Sequence, residues 1–512
     1  MGGYLSNKLI IKNSIILYIR LIVTLFVGLL TSRYVLIALG ASDFGLYNVV
    51  GGVVTMMAFV NTVMVSTTYR YIAYELGKPD GNVNKIFNIS LSIHLIISVI
   101  VIIASLTIGL YYIYNYLVVP EGKLSDAVFT FLFSMFNTIC VIIGTPYQGL
   151  LVAKEKFAVT VPIEILTKLL NLGLVILLMY LPGNHLRIYV VFMTIVHMLN
   201  PILYILYCIK KYWQEVKWNF QKEWKIYKEM FSFSGYTMIG AAACVGESQG
   251  SAIIINRFFG TILNASFGIA NRVNSMVQMF AQGLGQAIVP QITKSYSSGD
   301  RNRSSQLVML SSKFSFFLIM IPLLPILLET DFVLNIWLKE VPEFTTIFVQ
   351  IMLIKSIITS LNSGIPSIIQ ASGKIKWFQL ISSTILLLCL PLAYFAYTLG
   401  YPPHFISIIY LFTSLLTFIT TLILLKVIIN YDILEFIKKV VLKAIIITII
   451  ISPLFAIQFI VPEGVLRFFC VSLLAEVILF ASIYFIGLEK DERIGINKYI
   501  SLAKNKILGY AI

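Results

Sequence analysis

The stretch IFNISLSIHLIISVIVIIASLTIGLYYI, residues 86–113, contains no Asp, Glu, Lys or Arg. An apolar run of about 18 residues or more can cross the roughly 30 Å hydrocarbon layer of a bilayer as a helix. Such runs recur from one end of the chain to the other. Read against the intervening loops they give spans at 9–32, 45–67, 86–113, 127–149, 158–181, 188–209, 231–255, 264–291, 307–328, 344–370, 378–399, 405–427, 440–461 and 466–487. No soluble core absorbs that many, so the solvent of this chain is lipid. The expected fold class is an all-α integral membrane protein with about 14 transmembrane helices.

Composition agrees. Of 512 residues, 58% are hydrophobic and 12% charged, against about 25% charged in a soluble protein. The first apolar stretch, Ile15 to Leu30, is interrupted by Arg20 and followed at once by another span. It therefore reads as a retained helix rather than a cleaved signal. The five cysteines (Cys140, Cys208, Cys244, Cys389, Cys470) all lie in apolar segments without CxxC or metal spacing, and read as small hydrophobes.

Lys and Arg set the orientation. With the N-terminus inside, 28 of the 38 fall in inner loops and tails, and six (Arg33, Lys123, Arg187, Arg257, Lys339, Arg467) fall outside. The remaining four, Arg20, Lys168, Arg272 and Lys355, lie within spans. Both termini are thus expected in the cytoplasm. The net charge of +15 reflects these inner loops rather than nucleic-acid binding. The segment KKYWQEVKWNFQKEWKIYK, 210–228, reads as an amphipathic connector in the inner headgroup layer.

The two halves echo each other. Ala41-Ser42-Asp43-Phe44-Gly45-Leu46-Tyr47-Asn48 matches Asn264-Ala265-Ser266-Phe267-Gly268-Ile269-Ala270-Asn271 at an offset of 223. Gly144-Thr145-Pro146 before Lys154-Glu155-Lys156 matches Gly364-Ile365-Pro366 before Lys374-Ile375-Lys376 at an offset of 220. Each match falls at corresponding spans, so a parallel repeat of six helices is expected. The division would be an N-terminal lobe at 1–209, a cytoplasmic connector at 210–230, a C-terminal lobe at 231–430, an extra helix pair at 431–487 and a cytoplasmic tail at 488–512.

Several spans carry polar residues on one face. Asn13, Arg20 and Thr24 share a stripe of span 1, and Asn48 begins one on span 2. Glu164 and Lys168 sit one turn apart on span 5; Lys355 and Asn362 share a face of span 10. Span 8 presents Asn274, Gln278 and Gln282, with Arg272 at the edge. A charge at the bilayer centre costs at least about 2.5–3.5 kcal/mol, so these faces are expected to turn away from lipid toward a wet cavity. Hydrogen bonding between helices accounts equally well for the hydroxyl groups. Arg20, Arg272 and Lys355 have no acidic partner nearby in sequence and are expected to line an anion-attracting cavity, since guanidinium and ammonium groups suit phosphate. Glu247 and Glu164 are candidates for coupling to a proton or sodium ion. Static pairing is the competing role for both, Glu164 with Lys168 and Glu247 with a cavity arginine.

The chain has no GxxxxGK[ST], HExxH or GxSxG signature, and neither cofactor nor catalytic residue is expected. It resembles the polysaccharide-type, Wzx-like flippases of the multidrug/oligosaccharidyl-lipid/polysaccharide (MOP, MATE-like) exporter superfamily. Leu39-Gly40, Phe44-Gly45-Leu46-Tyr47, Gly144-x-Pro146 and Ala153-Lys154-Glu155-Lys156 carry the resemblance. It implies a non-enzymatic exporter of the bacterial inner membrane working by alternating access. The implied substrate is an undecaprenyl-pyrophosphate-linked oligosaccharide for O-antigen, capsule or exopolysaccharide, and the resemblance implies Arg20, Lys168, Arg272 and Lys355 as its binding cations. Membrane lipids, glycan polymerase and chain-length machinery would be its partners. A cation-coupled multidrug exporter and a lipid II flippase are alternatives of the same superfamily. A membrane glycan polymerase or ligase fits less well, because no large outer loop is present. Phosphatase fused in the 182–187 loop should be active and phosphatase fused at 217–223 inactive; the reverse pattern would invert the charge-based topology.

Overall fold

The computed structural model describes residues 2–115, 122–338, 341–459, 461–495 and 497; at some helical positions, among them 2–11 and 51–62, only the backbone is described. Helix accounts for nearly all of the described residues, and none of them lies in a strand. Runs such as Ile-Ser-Val-Ile-Val-Ile-Ile at 97–103 are rich in residues of modest helix propensity. Lipid overrides that preference, because every backbone N–H and C=O must be satisfied within its own segment.

The order begins α1 (Gly2–Gly77), α2 (Val83–Ala104), α3 (Leu110–Asn115), α4 (Leu124–Ala153), α5 (Phe157–Leu178), α6 (His185–Lys211) and α7 (Trp213–Val216). It continues with α8 (Trp224–Ser297), α9 (Arg301–Leu328), α10 (Thr330–Leu338), α11 (Thr345–Leu361), α12 (Ile365–Ser372), α13 (Lys376–Leu387) and α14 (Cys389–Thr398). The last are α15 (Phe405–Ile429), α16 (Ile433–Phe436), α17 (Leu442–Ile451) and α18 (Val465–Ser482). Polar caps open helices where the chain re-enters from a loop. Asn82 accepts from the amide of Lys85, Asn184 from that of Arg187, and Asp432 from that of Glu435.

The two longest helices each break at a glycine. Gly40 adopts φ 71°, ψ 169° inside α1, and Gly260 adopts φ 80°, ψ −171° inside α8. Only a residue without Cβ takes this conformation cheaply. The two glycines stand 220 positions apart, the offset already set by Gly144 and Gly364.

Fourteen spans were expected. Among the described residues ten helices are long and apolar enough to cross a membrane, or eleven if α11 and α12, bent by 44°, count as one. The expected spans 9–32, 45–67 and 264–291 lie in α1 and in α8 beyond Gly260, and are not among these. Apolar residues cover the helix surfaces that water would not tolerate. In α18, Phe469, Leu473, Val477 and Phe480 are all exposed along one stripe, as a lipid-facing helix requires.

The chain forms two compact units. The first comprises the residues up to Ala241 together with 286–304 and 370–379; the second comprises 242–285, 305–369 and the residues from Leu380 onward. In the first unit, Phe131, Val175, Leu178, Leu186 and Tyr189 pack with Leu39 and Leu46. A second cluster joins Ile72, Phe87, Leu150, Leu151, Tyr204 and Cys208. The stretch expected to form the connector is only partly helical. α7 ends at Val216, and the chain is non-helical until α8 begins at Trp224. Its backbone is held instead by α2. Asn84 donates to the carbonyls of Glu215 and Lys217, and Asn88 donates to Lys217 and accepts from the amide of Asn219. Of the tail expected at 488–512, residues 498–512 lie outside the described residues.

The repeated Gly-x-Pro motif has a packing reason in both units. A Cβ on Gly144 would stand 2.4 Å from Pro201 Cβ, so the residue lets α4 approach α6 closely. A Cβ on Gly364 would meet the Val308 carbonyl oxygen of α9 at 2.5 Å. Gly364→Ala should therefore strain the α9 contact by about 1–3 kcal/mol and lower the apparent melting temperature in detergent by several degrees. Gly268→Ala, where a Cβ meets nothing within 4 Å, should leave it unchanged or slightly raised.

Candidate functional site

In the first unit, α1 presents Arg20 and Thr24 one turn apart, and α5 presents Glu164 and Lys168 at the same spacing. With Gln148 of α4 and His197, Asn200 and Tyr204 of α6 they line a cavity of about 530 Å³. Arg20 Nη1 donates to Glu164 Oε2 at 3.0 Å, and its Nη2 donates to Gln286 Oε1 at 2.7 Å. Tyr204 Oη donates to the other Glu164 oxygen at 3.3 Å. Glu164 thus turns to Arg20 rather than to Lys168, its neighbour on the same helix. No carboxylate among the described residues pairs with Lys168, which leaves the cavity one cation in excess.

The second unit repeats the theme with other residues. Lys355 of α11 lies 3.4 Å from Glu247 of α8, and both side chains are mostly buried, at 14% and 11% exposure. The same ammonium sits 4.2 Å over the ring of Tyr410. Tyr410 in turn donates to the Glu247 carbonyl at 2.8 Å and lies within hydrogen-bond distance of Ser251 Oγ. Gln278 donates to Thr359 Oγ1 at 2.7 Å, and Ser356 donates to Asn274. The partner of Glu247 is thus a lysine, not an arginine. Arg272 is exposed and has no ion-pair partner among the described residues.

The remaining expected lining residues are scattered. Thr24 belongs to the first cavity. Asn13 is buried, and its amide nitrogen finds no partner among the described residues. Gln282 is exposed on α8. Asn362 caps the end of α11 with an unpartnered side-chain oxygen. The expectation for Asn48 lies outside the described residues. No cluster of three or more His, Cys, Asp or Glu that could hold a metal occurs among the described residues.

These elements have relatives. The family model described as "Polysaccharide biosynthesis protein" matches residues 10–296, more than half of the chain. The chain belongs to the polysaccharide biosynthesis protein family. No curated protein matches the sequence. Among solved structures, a single-residue mutant of a MATE protein aligns with a TM-score of 0.71 at 14% identity, over 83% of this chain and 97% of that one. An outward-facing multidrug resistance MATE family transporter of the MOP superfamily aligns with a TM-score of 0.69 at 14% identity, over 82% and 95%. A MOP superfamily transporter from Pyrococcus furiosus aligns at 0.68 and 15%, over 83% and 96%. At these identities the likeness is one of fold. This member of the polysaccharide biosynthesis family is therefore a multi-pass membrane protein with a MATE-type fold.

Residue-by-residue reading of the sequence missed the partners that complete each cluster. Gln148, Asn200 and Tyr204 complete the first; Ser356 and Tyr410 complete the second. A lone amide inside an apolar helix, such as Asn200 before Pro201, was the available signal. Also unforeseen was the pair between Arg467 and Glu329, at 2.6 Å with both side chains almost wholly buried.

Removing one partner of a buried ion pair costs roughly 3–5 kcal/mol. Lys355→Met and Glu247→Gln should each approach that loss in denaturant unfolding, while the double variant recovers part of it. The resulting coupling should be between about 0.5 and 3 kcal/mol. Additive effects would show that the pair contributes nothing jointly.

Proposed function

We propose that this protein is a transporter, a flippase for undecaprenyl-pyrophosphate-linked oligosaccharide repeat units. It would carry them from the inner to the outer leaflet of the bacterial cytoplasmic membrane, by alternating access and with both termini inside. The observation that carries the reading is the surplus of positive charge on polar helix faces. Arg20 and Lys355 are balanced by Glu164 and Glu247, whereas Lys168 and Arg272 have no carboxylate partner among the described residues. A pyrophosphate crossing low dielectric needs such groups, because charge-assisted bonds from Lys and Arg replace its lost hydration. The family's description, polysaccharide biosynthesis, supports a glycan cargo.

Export of cationic drugs is the reading suggested by the multidrug MATE neighbours. It wants free carboxylates on those faces, and the two acids here are engaged by cations. The Pyrococcus furiosus relative is itself described as having a binding pocket of reverse polarity that suggests a different function. Coupling to a proton or sodium ion through Glu247 or Glu164 would require opening one of these pairs during transport.

In cells that depend on this chain, Lys168→Ala and Arg272→Ala should each reduce surface polysaccharide about tenfold or more. That is the scale of losing one charged hydrogen bond, roughly 1.5–3 kcal/mol. Undecaprenyl-linked repeat units should accumulate while protein levels stay normal. Unchanged polymer in both variants would refute the cationic-face proposal, and altered sensitivity to cationic drugs would favour the exporter of drugs.

A further inference from the structure

The first unit holds a second cavity, of about 800 Å³, distinct from the one that holds Arg20 and Lys168. Its walls are the end of α1, the start of α8 and the turn between α12 and α13. Six cationic side chains line it: Arg70, Lys78, Lys225, Lys228, Lys374 and Lys376; only two acids, Glu75 and Glu229, accompany them. Lys78 is neutralised by Glu75 at 2.5 Å. Arg70 has a structural task. It is buried against Tyr71, Tyr74 and Phe233, and donates to the carbonyls of Gln370 and Ala371 at 3.0 and 2.9 Å. Those bonds satisfy the last carbonyls of α12 and bring the turn carrying Lys374 to the cavity.

The other four lysines are exposed and have no carboxylate within ion-pair distance among the described residues. Like charges gathered around one hollow repel each other, and a bound anion removes that penalty. Lys376 also opens α13, whose first-turn amides point outward from the helix start and favour negative charge.

Two exposed tryptophans flank the cavity. Trp224 precedes Lys225 and is 76% exposed; Trp377 follows Lys376 and is 62% exposed. Exposed tryptophans beside lysines are the composition of a helix end at the membrane–water boundary. We propose that this cavity binds the phosphate head group of an anionic membrane lipid, with Lys225, Lys228 and Lys374 as its principal contacts. Basic pockets between helices at the membrane surface recognise lipid phosphate in this way. Because the cavity is built from three segments far apart in sequence, an occupied site ties the α12–α13 turn to α1 and α8. The inference stands apart from the identity of the transported cargo.

The test uses the purified full-length chain in detergent, with phosphatidylglycerol, phosphatidylcholine or inorganic pyrophosphate added. Binding is read by native mass spectrometry and by melting temperature. Phosphatidylglycerol should bind and raise the melting temperature, whereas phosphatidylcholine should not. The combined variant Lys225→Ala, Lys228→Ala and Lys374→Ala should weaken that binding at least tenfold, and the corresponding arginine variant should keep it. Lys426→Ala with Lys438→Ala, lysines of the second unit, should leave it unchanged. Equal binding by the alanine variant, or no preference for phosphatidylglycerol, would overturn the proposal. Stabilisation by pyrophosphate without any lipid response would overturn the lipid source and assign the site to a soluble phosphate.

Discussion

Hydrocarbon solvates no charge, so an ionised side chain in a spanning helix must bring its counter-charge or its water with it. In this protein that requirement selects helix partners. Arg20 and Glu164 join α1 to α5, Lys355 and Glu247 join α11 to α8, and Arg467 and Glu329 join α18 to the end of α9. Lys313 and Glu492 tie α9 to the segment after α18. Apolar faces cannot make such choices, because lipid tails are as good a neighbour as another leucine. Close approach at small residues and pairing of polar groups are what remain. The near-contact of Gly144 with Pro201 belongs to the first kind.

The charges left after this pairing are the ones on which the proposed function rests. On the proposed flippase reading, not every cation on the polar faces can be neutralised in advance, since a phosphorylated cargo would do so itself during passage. Lys168 and Arg272 are the residues in that condition. The lysines around Arg70 are in it too, but at a helix boundary rather than mid-span. That difference in depth would separate the proposed cargo face from the proposed lipid site. Arg70 shows the contrast most clearly: the most buried cation of its cavity acts on backbone carbonyls, and the exposed lysines remain available.

The two halves also show how one motif serves two geometries. Gly144-Thr145-Pro146 lies inside the continuous helix α4, whereas Gly364-Ile365-Pro366 begins α12 after a 44° bend from α11. The shared element is close approach at the glycine. The neighbour differs: a proline side chain in one case, a backbone carbonyl in the other. The matching positive-φ breaks at Gly40 and Gly260 sit just ahead of the repeated Phe-Gly sequences.

Much of this architecture was legible in the amino-acid order alone. Long uncharged runs make helices compulsory in lipid. Amides and charges at one-turn spacing mark the faces that avoid lipid, which is why Arg20, Thr24, Glu164 and Lys168 stand out in the sequence without any knowledge of their shared cavity. Those signals are local, written within a turn or a span. Which acid meets which base is not local: Arg20 and Glu164 lie 144 positions apart and Lys355 and Glu247 lie 108 apart. Glu164 had a lysine one turn away and still chose an arginine on another helix. The same holds for the lysines of the boundary cavity, which the sequence shows only as scattered loop charges. Tertiary packing decided these partners, because electrostatic energy depends on distance in space and the chain alone does not specify it.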